Sequence, residues 1–400
     1  MAINSIHKDI KIMMNDKNYT LNTQLLNKLF IAIAIGIFTI ILGIFINDRI
    51  WPNILLSAIY ITGIGFAGML FVAIHYVSNS GWGAIIRRIP EAMFSTLGIG
   101  FLLMLLVIFG AHHLYEWTHL DVVAHDPILL GKQPWLNIKF FVLRIPIFFG
   151  IWYFLGRPII NHSRKQDKTG DLIHTKKGVR WSAAWLYLGG IAFVISSFDW
   201  IMSVEPHWFS TIFGLYNFAG MFNAGLAFMI IMLIYLRRNG FLTSIKDDHL
   251  YELGRYLFAF VTFWVYIWYS QHMLIWYANI PEETVYFAKR HAGAFGLLTI
   301  INILTNWLIP FMILVFRKSK RSEKTLILAS VIVLIGHWID LYIMIFPPLI
   351  GNIPEIGLLE IGTIIGIIGT VSFVVLKSLS KWNIIPTKDP YLEESLHLHT

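Results

Sequence analysis

The chain has 400 residues, of which 56% are hydrophobic and 14% are charged, and its formal net charge is +8. It contains no cysteine, which excludes Cys-ligated iron–sulfur clusters, covalently attached haem and disulfide bonds within this sequence. Any redox centre must therefore be bound noncovalently or be held by a partner protein.

Apolar segments recur ten times along the chain, each close to the ~20 residues that an α-helix needs to cross a bilayer. The segments do not show the alternating pattern of a membrane β-barrel. We predict an all-α polytopic membrane protein with one transmembrane domain (29–379), an N-terminal tail (1–28) and a C-terminal tail (380–400). The predicted spans, numbered 1 to 10, are 29–46, 54–77, 94–115, 137–160, 181–201, 212–236, 251–276, 292–316, 325–346 and 356–377.

The positive charges alternate between the two sides of these spans. Of the 31 Lys and Arg residues, 25 lie on the side of the termini, five lie on the opposite side and Arg144 lies within span 4. Positive residues favour the cytoplasmic side of a membrane protein, so both termini are predicted to be cytoplasmic. The net charge thus indicates topology and contact with anionic lipid, and nucleic-acid binding is not expected.

A faint internal repeat relates the two halves of the chain. Asp199 in span 5 and Asp340 in span 9 each precede a proline, Pro206 and Pro347, by seven residues. Both spans run in the same direction, so both acids are expected near the outer surface. Repeats of parallel orientation are common in membrane bundles. We predict two four-helix bundles, spans 2–5 and 6–9, flanked by spans 1 and 10.

Ionisable residues concentrate at the predicted outer ends of the spans, where they are costly and usually face the bundle interior. Their spacing of three or four residues places His112 or His113 on one face with Glu116, and His337 with Asp340. A His–carboxylate pair can accept the protons that a quinol releases on oxidation. The candidates for a quinone pocket or proton path are His112, His113, Glu116, Arg144, Asp199, Glu205, His207, His272, His337 and Asp340.

The same residues also permit a purely structural interpretation. Glu205 and His207 suit ordinary interfacial positions, and Arg144, Asp199 and Asp340 suit a buried ion pair that fixes helix contacts. Arg144 in particular is predicted to pair with a carboxylate of span 3 or span 5, because an unpaired guanidinium in hydrocarbon is costly.

A second polar set lies deeper in the spans or near the inner face. Its uncharged members also suit hydrogen bonds between helices, and its ionisable members also suit snorkelling or helix capping. No metal site and no residue that is catalytic in isolation is predicted. This secondary polar path comprises His75, Glu91, Thr299, Asn302 and Asn306.

Glycines recur on one face of span 2 (Gly63, Gly65 and Gly68) and of span 10 (Gly362, Gly366 and Gly369). Small residues at such spacings allow membrane helices to approach closely. We predict that both faces are helix contacts and not nucleotide-binding loops.

Several segments resemble a known membrane family. These are 181–185 (WSAAW), 197–211 (SFDWIMSVEPHWFST), 87–91 (RRIPE) and 269–283 (YSQHMLIWYANIPEE). They resemble the shorter of the two NrfD-like, or polysulfide-reductase-like, integral membrane proteins of bacterial alternative complex III, which is termed quinone-binding subunit 2. That complex is a quinol:cytochrome c oxidoreductase of the respiratory chain. The resemblance extends over essentially the whole sequence.

The resemblance implies a multi-pass subunit of the bacterial inner membrane that is inactive alone. It implies a scaffolding role, with menaquinone or another quinone as its own ligand and a contribution to proton transfer. Haem c and iron–sulfur clusters would reside in partner subunits. The implied partners are a sister NrfD-like subunit, an iron–sulfur/molybdopterin-like peripheral subunit, multihaem and monohaem cytochrome c subunits, and a haem-copper oxidase.

Two other classes of protein remain open from the residues alone. A haem b cytochrome could use two of His112, His113, His272 and His337 as axial ligands. A secondary transporter could use broken helices and internal repeats.

Overall fold

The computed structural model describes residues 19–351 and 353–400, so that the first 18 residues of the predicted N-terminal tail lie outside it. Regular secondary structure in the described part is entirely helical. Ten helices are at least 22 residues long. They are α1 (Thr23–Ile46), α2 (Ile50–Val77), α3 (Arg88–Phe109), α4 (Ile138–Thr169), α5 (Ile173–Val204), α6 (Phe213–Arg238), α7 (Asp247–Ala278), α8 (Gly293–Leu314), α9 (Glu323–Ile345) and α10 (Leu358–Leu379).

Nine of these described helices are long and apolar enough to cross a membrane. They confirm the prediction of an all-α polytopic membrane protein. The exception is α7, which coincides with predicted span 7 but contains five Tyr and three Trp residues and begins with two acidic residues. Aromatic residues with polar atoms lower its hydropathy, although the helix is 32 residues long.

The connections between the helices lie at two ends of the molecule. At one end, which we call the tail end, residues 380–400 contact the loops 78–87, 170–172, 239–246 and 315–322 or the helix ends beside them. At the other, which we call the distal end, the loops 110–137, 201–212, 279–292 and 346–357 lie near one another or near Arg49. Successive long helices therefore alternate in direction between the two ends.

Helices α1 and α10 pack closely against each other at glycine residues. A Cβ atom added at Gly36 would lie 2.5 Å from the Cα atom of Gly366, and one added at Gly362 would lie 2.1 Å from Oγ1 of Thr39. Only glycine permits such close backbone contact. The predicted contact role of the span 10 glycines is thus confirmed. The glycines of α2 likewise face neighbouring residues, with Gly68 against Pro90.

The two central helices are α2 and α6. The apolar stretch of α2 is buried along its whole length, and that of α6 nearly so. Helix α2 contacts α3, α5, α6 and α10, whereas α6 contacts α7 and α9 and also α5. Polar residues on α6 and on the facing side of α9 therefore lie in the interior of the molecule and not at its lipid surface.

Short helices occupy the loops. Those at the distal end are Ala111–Leu114, Glu116–Thr118, Leu120–His125, Pro127–Lys132, Pro281–His291 and Pro347–Ile350, and those at the tail end are Arg317–Lys320 and Leu392–Leu396. Two single π-helical turns, Trp185–Gly189 and Leu304–Leu308, interrupt α5 and α8. Such turns are frequent at functional sites, and the second carries Asn306.

The helix ends differ from the predicted spans where local signals act. Asn137 caps α4 by accepting a hydrogen bond from the Phe140 amide, and Gly170 ends it in the left-handed region at φ +73°. Helix α4 therefore extends well beyond the predicted span, to Thr169. In contrast, α3 stops at Phe109, six residues before the predicted end, because the chain bends at Gly110 and is extended at Tyr115.

Candidate functional site: two buried carboxyl groups and a distal cavity

Asp199 lies near the distal end of α5 and is 1% exposed. Its Oδ2 accepts a hydrogen bond from Nε of Arg144, and its Oδ1 accepts one from Nε1 of Trp135 at 2.8 Å. Arg144 Nη1 also donates to the Trp135 carbonyl at 2.9 Å, and the guanidinium lies 4.4 Å from the centre of the indole. The predicted pairing of Arg144 with a carboxylate of span 5 is confirmed. The arrangement is a buried ion pair between α4 and α5.

A cavity of about 450 Å³ adjoins this ion pair on the distal side. Asp199 and Lys132 contribute polar groups to its wall, and the other lining side chains are mainly aromatic or apolar, among them Trp135, Phe198 and Phe209. Lys132 donates to the carbonyl of Pro206 at 2.5 Å. Burial lowers the pKa of the Lys132 ammonium. The cavity thus combines aromatic walls with one carboxyl and one amino group.

Asp340 occupies the corresponding position in α9 and is fully buried. Its Oδ1 accepts hydrogen bonds from the Tyr216 hydroxyl and from Asn302 Nδ2 at 2.8 Å. Its Oδ2 accepts one from Trp264 Nε1 at 3.1 Å. Within the described part of the chain, no Lys, Arg or His forms an ion pair with Asp340. Asp340 is therefore surrounded by neutral donors, in contrast to Asp199.

His337 lies one helical turn from Asp340 on the same side of α9. A methyl group at Gly220 would lie 3.0 Å from His337 Nδ1 and 3.2 Å from Asp340 Oδ2. The imidazole packs against the ring of Tyr60, with 5.2 Å between centroids, and its Nδ1 has no hydrogen-bond partner among the described residues. The predicted face shared by His337 and Asp340 is present, without a direct hydrogen bond between them.

Polar residues of α8 continue from Asp340 toward the tail end. Asn306 donates to Oδ1 of Asn302 at 2.5 Å, which links it to Asp340 through one intervening amide. Further along this direction lie Asn223 of α6 and Ser330 of α9, both fully buried. The side-chain polar atoms of Asn223 and Ser330 have no hydrogen-bond partner in the part of the chain that is described. Buried polar atoms of this kind are usually satisfied by internal water.

Toward the distal end, Asp340 is followed by a narrow polar cavity of about 20 Å³. Tyr216 and Asn302, which bind Asp340, line it together with Gln271, Thr299 and His291. Thr299 donates to the carbonyl of Arg290 at 2.9 Å. Burial lowers the pKa of His291. The cavity has room for about one water molecule and separates Asp340 from the distal loops.

Arg290, which lines this cavity, is paired with Glu205. Glu205 is held by two cations. It accepts hydrogen bonds from Lys289 Nζ at 2.7 Å and from Arg290 Nη1 at 2.9 Å. Arg290 also donates to the carbonyls of Ile343, Tyr286 and Met344. Trp208 stacks on Tyr286 at 3.8 Å, and burial raises the pKa of Tyr286 to about 12. Glu205 is therefore an anchored interior group and not an ordinary interfacial residue.

A cavity of about 610 Å³, which we call the large cavity, opens at the distal end. Glu205 lies on its wall, and the predicted residues His112, His113, Glu116 and His207 all line it. The structure thus brings five of the predicted site residues together. Its other lining groups include His119, Glu282 and Lys289.

The predicted pairing of Glu116 with His112 or His113 on one helical face is wrong. Because the helix ends at Phe109 and the chain is extended at Tyr115, the spacing of three or four residues does not apply. His113 instead lies 3.6 Å from Asp48, and Glu116 lies 3.9 Å from His207.

His207 is held by a residue outside the predicted set. Its Nε2 lies 2.6 Å from Oδ2 of Asp126, and this hydrogen bond is the main reason that the pKa of Asp126 is lowered. The imidazole of His112 stacks on that of His119 with 3.8 Å between centroids. The distal cavity therefore carries several groups that can exchange protons with the solution.

The remaining predicted residues lie apart from this region or beside it. His272 packs against Trp268 and His291, near the narrow cavity. Glu91 lies at the tail end, where it accepts hydrogen bonds from Arg88 and Ser163 at 2.5 Å. Of the four histidines considered as haem ligands, His112 and His113 line the same distal cavity, whereas His272 and His337 have other surroundings. His75, also toward the tail end, donates from Nδ1 to the carbonyl of Phe71 at 2.8 Å and packs against Trp82.

Sequence reasoning missed the residues that hold the two carboxyl groups. Trp135, Tyr216 and Trp264 all bind Asp199 or Asp340. Tryptophan and tyrosine look like ordinary apolar positions in a membrane segment, although their N–H and O–H groups need partners when buried. The only signal in the sequence was the high frequency of these residues in α7, which contains Trp264.

The fold and the site define a polytopic helical membrane protein with buried carboxyl groups near one face. No protein-family model matches the chain, and no curated protein matches it significantly. The function is therefore inferred from this geometry and from the resemblance of its segments.

Proposed function

We propose that the chain is an integral membrane subunit of a bacterial respiratory quinol:cytochrome c oxidoreductase of the alternative complex III type. In this proposal it is not catalytic alone, and it contributes a scaffold and a route for protons. The nine apolar helices support membrane insertion. The segments around Asp199 and His272 carry the resemblance to the NrfD-like family.

The proposed topology has ten spans, which are the nine apolar helices together with α7. His249 near the start of α7 bonds to Ser395 in the C-terminal tail, whereas His272 near its other end packs against His291 in the distal loops. Helix α7 therefore runs from one end of the molecule to the other, like its neighbours. The excess of Lys and Arg at the tail end supports a cytoplasmic location for both termini.

The proposed architecture consists of two four-helix units, α2–α5 and α6–α9. Contacts within each unit support it, since α2 packs on α3 and α5, and α6 packs on α7 and α9. The two units differ in chemistry. Protonation of Asp199 would remove the counter-charge of Arg144 from a buried site, and this is costly. Asp340 has only neutral donors, so its proton can be exchanged without leaving a cation unpaired.

The observation that carries the proton-transfer proposal is this position of Asp340 between two sets of polar groups. On the distal side, Asn302 and the narrow cavity lead to Arg290, which pairs with Glu205 on the wall of the large cavity. On the other side, Asn306, Asn223 and Ser330 extend toward the tail end. Water bound to the unpartnered buried atoms would complete hydrogen-bonded chains in both directions. Asp340 would then act as the site where a proton is held between them.

A quinone is the ligand that the resemblance implies, and the residues around the 450 Å³ cavity fit its head group. Aromatic side chains such as Trp135 and Phe209 offer surfaces for stacking. The Lys132 ammonium can donate to one ring oxygen, and the Asp199 carboxylate can accept from a hydroxyl group of the quinol form. When bound, a quinol would supply two electrons and two protons. In the proposal the electrons pass to haem c and iron–sulfur centres of partner subunits, because this sequence has no cysteine to hold a covalent haem or an iron–sulfur cluster.

The proposal is tested with the affinity-tagged chain isolated together with its partners in mild detergent. We expect quinol:cytochrome c activity in that preparation and none in the chain alone. After reconstitution into vesicles, D340N should assemble normally but lose quinol-driven proton release. E283Q, which alters a partly exposed carboxyl group in the distal loops, is the matched control and should behave like the wild type.

Two results would contradict the proposal in different ways. Activity in the isolated chain, or a complex without any quinol oxidation, would remove the subunit assignment. Wild-type proton release by an assembled D340N complex would leave the subunit assignment intact and remove the role of Asp340.

A further inference from the structure

Four basic side chains come together where the tail-end parts of α4 and α5 lie side by side. Nδ1 of His162 lies 3.0 Å from Nδ1 of His174, so that one imidazole donates a hydrogen bond to the other. The positive charges of Lys165 and Lys177 act on the same His162 ring. We call His162, Lys165, His174 and Lys177 the basic cluster.

No ion pair within the described part of the chain neutralises the basic cluster. The nearest acids along the chain are engaged elsewhere, since Asp167 pairs with Arg88 and Asp171 accepts from a backbone amide of its own turn. The Nε2 atoms of the two imidazoles also bond to no other described residue. Other cations at the tail end do have carboxylate partners, as Arg87 has in Asp389. The basic cluster therefore offers free donors and uncompensated positive charge.

The exposed side chains of α4 place the basic cluster just outside the hydrocarbon layer. They are apolar or aromatic from Phe140 to Phe154, and the next ones along the helix are Arg157 and Asn161. The hydrocarbon boundary on α4 therefore lies between Phe154 and Arg157. His162 follows Arg157 by five residues, or about 8 Å along the helix. This is the depth of the polar headgroup layer.

Helix α5 shows the same boundary and adds an apolar surface on the side of the basic cluster. Trp181 is 37% exposed and Leu188 is 44% exposed. They follow His174 at intervals of seven residues, so all three lie on one face of the helix. Tryptophan is enriched at membrane interfaces. On α4, Phe154 precedes His162 by about two turns and is 72% exposed.

We propose that the basic cluster binds the phosphate group of an anionic membrane lipid, one of whose acyl chains lies along Trp181 and Leu188. Phosphate oxygens accept strong hydrogen bonds from cationic N–H donors. Basic pockets between membrane helices are sites for such headgroups. The inference goes beyond the proposed function. It needs a membrane position for α4 and α5, which their length and apolarity support, and it needs no quinol chemistry.

The order of the groups along the two helices selects this occupant. Cations lie at the level of the headgroups, and apolar side chains lie directly beneath them at the level of the acyl chains. A lipid molecule carries its negative charge and its apolar chains in that order. A second copy of this chain would bring the same positive charges to the contact and would be repelled. A free phosphate ion would leave the apolar surface uncovered.

The test uses the full tagged chain in detergent. Phosphatidylglycerol is added in mixed micelles, and the bound lipid is counted by native mass spectrometry. Phosphatidylcholine is the zwitterionic control, and glycerol phosphate is the soluble control. The variant K165Q/K177Q removes two cations from the basic cluster, and K165R/K177R keeps them. The matched control K318Q/K324Q removes two other exposed lysines at the tail end.

A single thiol locates the bound lipid, because the sequence has no cysteine of its own. N161C places this thiol at an exposed position beside His162. Its rate of alkylation is measured with each of the three additives. We expect phosphatidylglycerol to slow the alkylation, and phosphatidylcholine and glycerol phosphate to leave it unchanged.

Each basic residue near a membrane surface strengthens binding of anionic lipid roughly fivefold. We therefore expect K165Q/K177Q to bind phosphatidylglycerol roughly 25-fold more weakly, and K165R/K177R and K318Q/K324Q to bind like the wild type. Wild-type binding by K165Q/K177Q would overturn the inference, and so would equal weakening in K318Q/K324Q. Protection of N161C by glycerol phosphate would show a site for soluble phosphate and would also overturn it.

Discussion

The buried ion pair between Arg144 and Asp199 yields the sharpest prediction. The substitution D199N keeps the size of the side chain and removes its charge. In the wild type the two carboxylate oxygens accept from Arg144 Nε and from Trp135 Nε1. The asparagine oxygen can accept only on one side, and its NH2 group meets a donor on the other.

The expected loss of stability in D199N follows from the contacts that Arg144 keeps and the one that it loses. Its bond to the Trp135 carbonyl at 2.9 Å and its position over the indole remain, but the cation loses its only carboxylate partner among the described residues. Removing one partner of a buried ion pair costs about 3–5 kcal/mol. Because folded domains are stable by only about 5–15 kcal/mol, we expect D199N to lose much of its stability and to accumulate poorly in the membrane.

The assay compares four proteins: the wild type, D199N, R144Q and the double variant R144Q/D199N. Membrane yield and thermal unfolding in detergent are measured for each. The double variant should be more stable than either single variant, because two neutral amides can bond to each other and no charge remains unpaired. This cycle separates the ion pair from the other contacts of either residue.

Two results would refute the reasoning. If D199N accumulates and unfolds like the wild type, the ion pair does not hold α4 against α5. If D199N assembles normally but loses proton release, Asp199 is a relay, and the distinction drawn between it and Asp340 is wrong.

Three further predictions test the fold and the distal surface. G36A should lower the stability of the protein in detergent by about 1–3 kcal/mol, because the added methyl lies 2.5 Å from the Gly366 Cα atom, whereas G98A, which meets nothing within 4 Å, should not. Reporter fusions at Lys165 and Arg238 should read cytoplasmic and one at Asp126 should read external; reversal of any of them would contradict the ten-span topology. The hydrogen bond from His207 lowers the pKa of Asp126. It therefore stabilises the folded loop at pH values above the ordinary Asp pKa of about 4. This stabilisation is lost as the pH falls through the lowered pKa of Asp126. Hydrogen exchange in residues 119–132 should therefore increase at acid pH in the wild type and already be increased at neutral pH in D126N; equal exchange in both proteins at neutral pH would show that the contact does not order the loop.

The long-range plan of the molecule was accessible from the sequence because membrane insertion imposes a simple rule of length and apolarity. The pairing of Arg144 could also be predicted, because a buried guanidinium must find an acceptor and few acids lie at its depth. The contact role of Gly362 and Gly366 could be predicted as well. These inferences need only helix geometry and the cost of burying charge.

The local details were not accessible in the same way. The pairing of His112 or His113 with Glu116 assumed a helix that continues past Gly110, and the bend there places Glu116 near His207 instead. The different surroundings of Asp199 and Asp340 depend on Trp135, Tyr216 and Trp264, which reach the two acids across helix contacts. Spacing along one segment contains no information about such contacts.

The close contact between α1 and α10 has a consequence for how the protein is made. The tenth helix begins about 300 residues after the first one ends, which corresponds to roughly 15–60 s of synthesis. During that interval α1 lacks its main neighbour, and its glycine face is exposed to lipid or to the insertion machinery. Helix α1 is therefore fixed in place only after α10 has been made. Ribosome-bound intermediates that stop before residue 358 should leave α1 free to exchange with other helices, and synthesis of α10 should end that freedom.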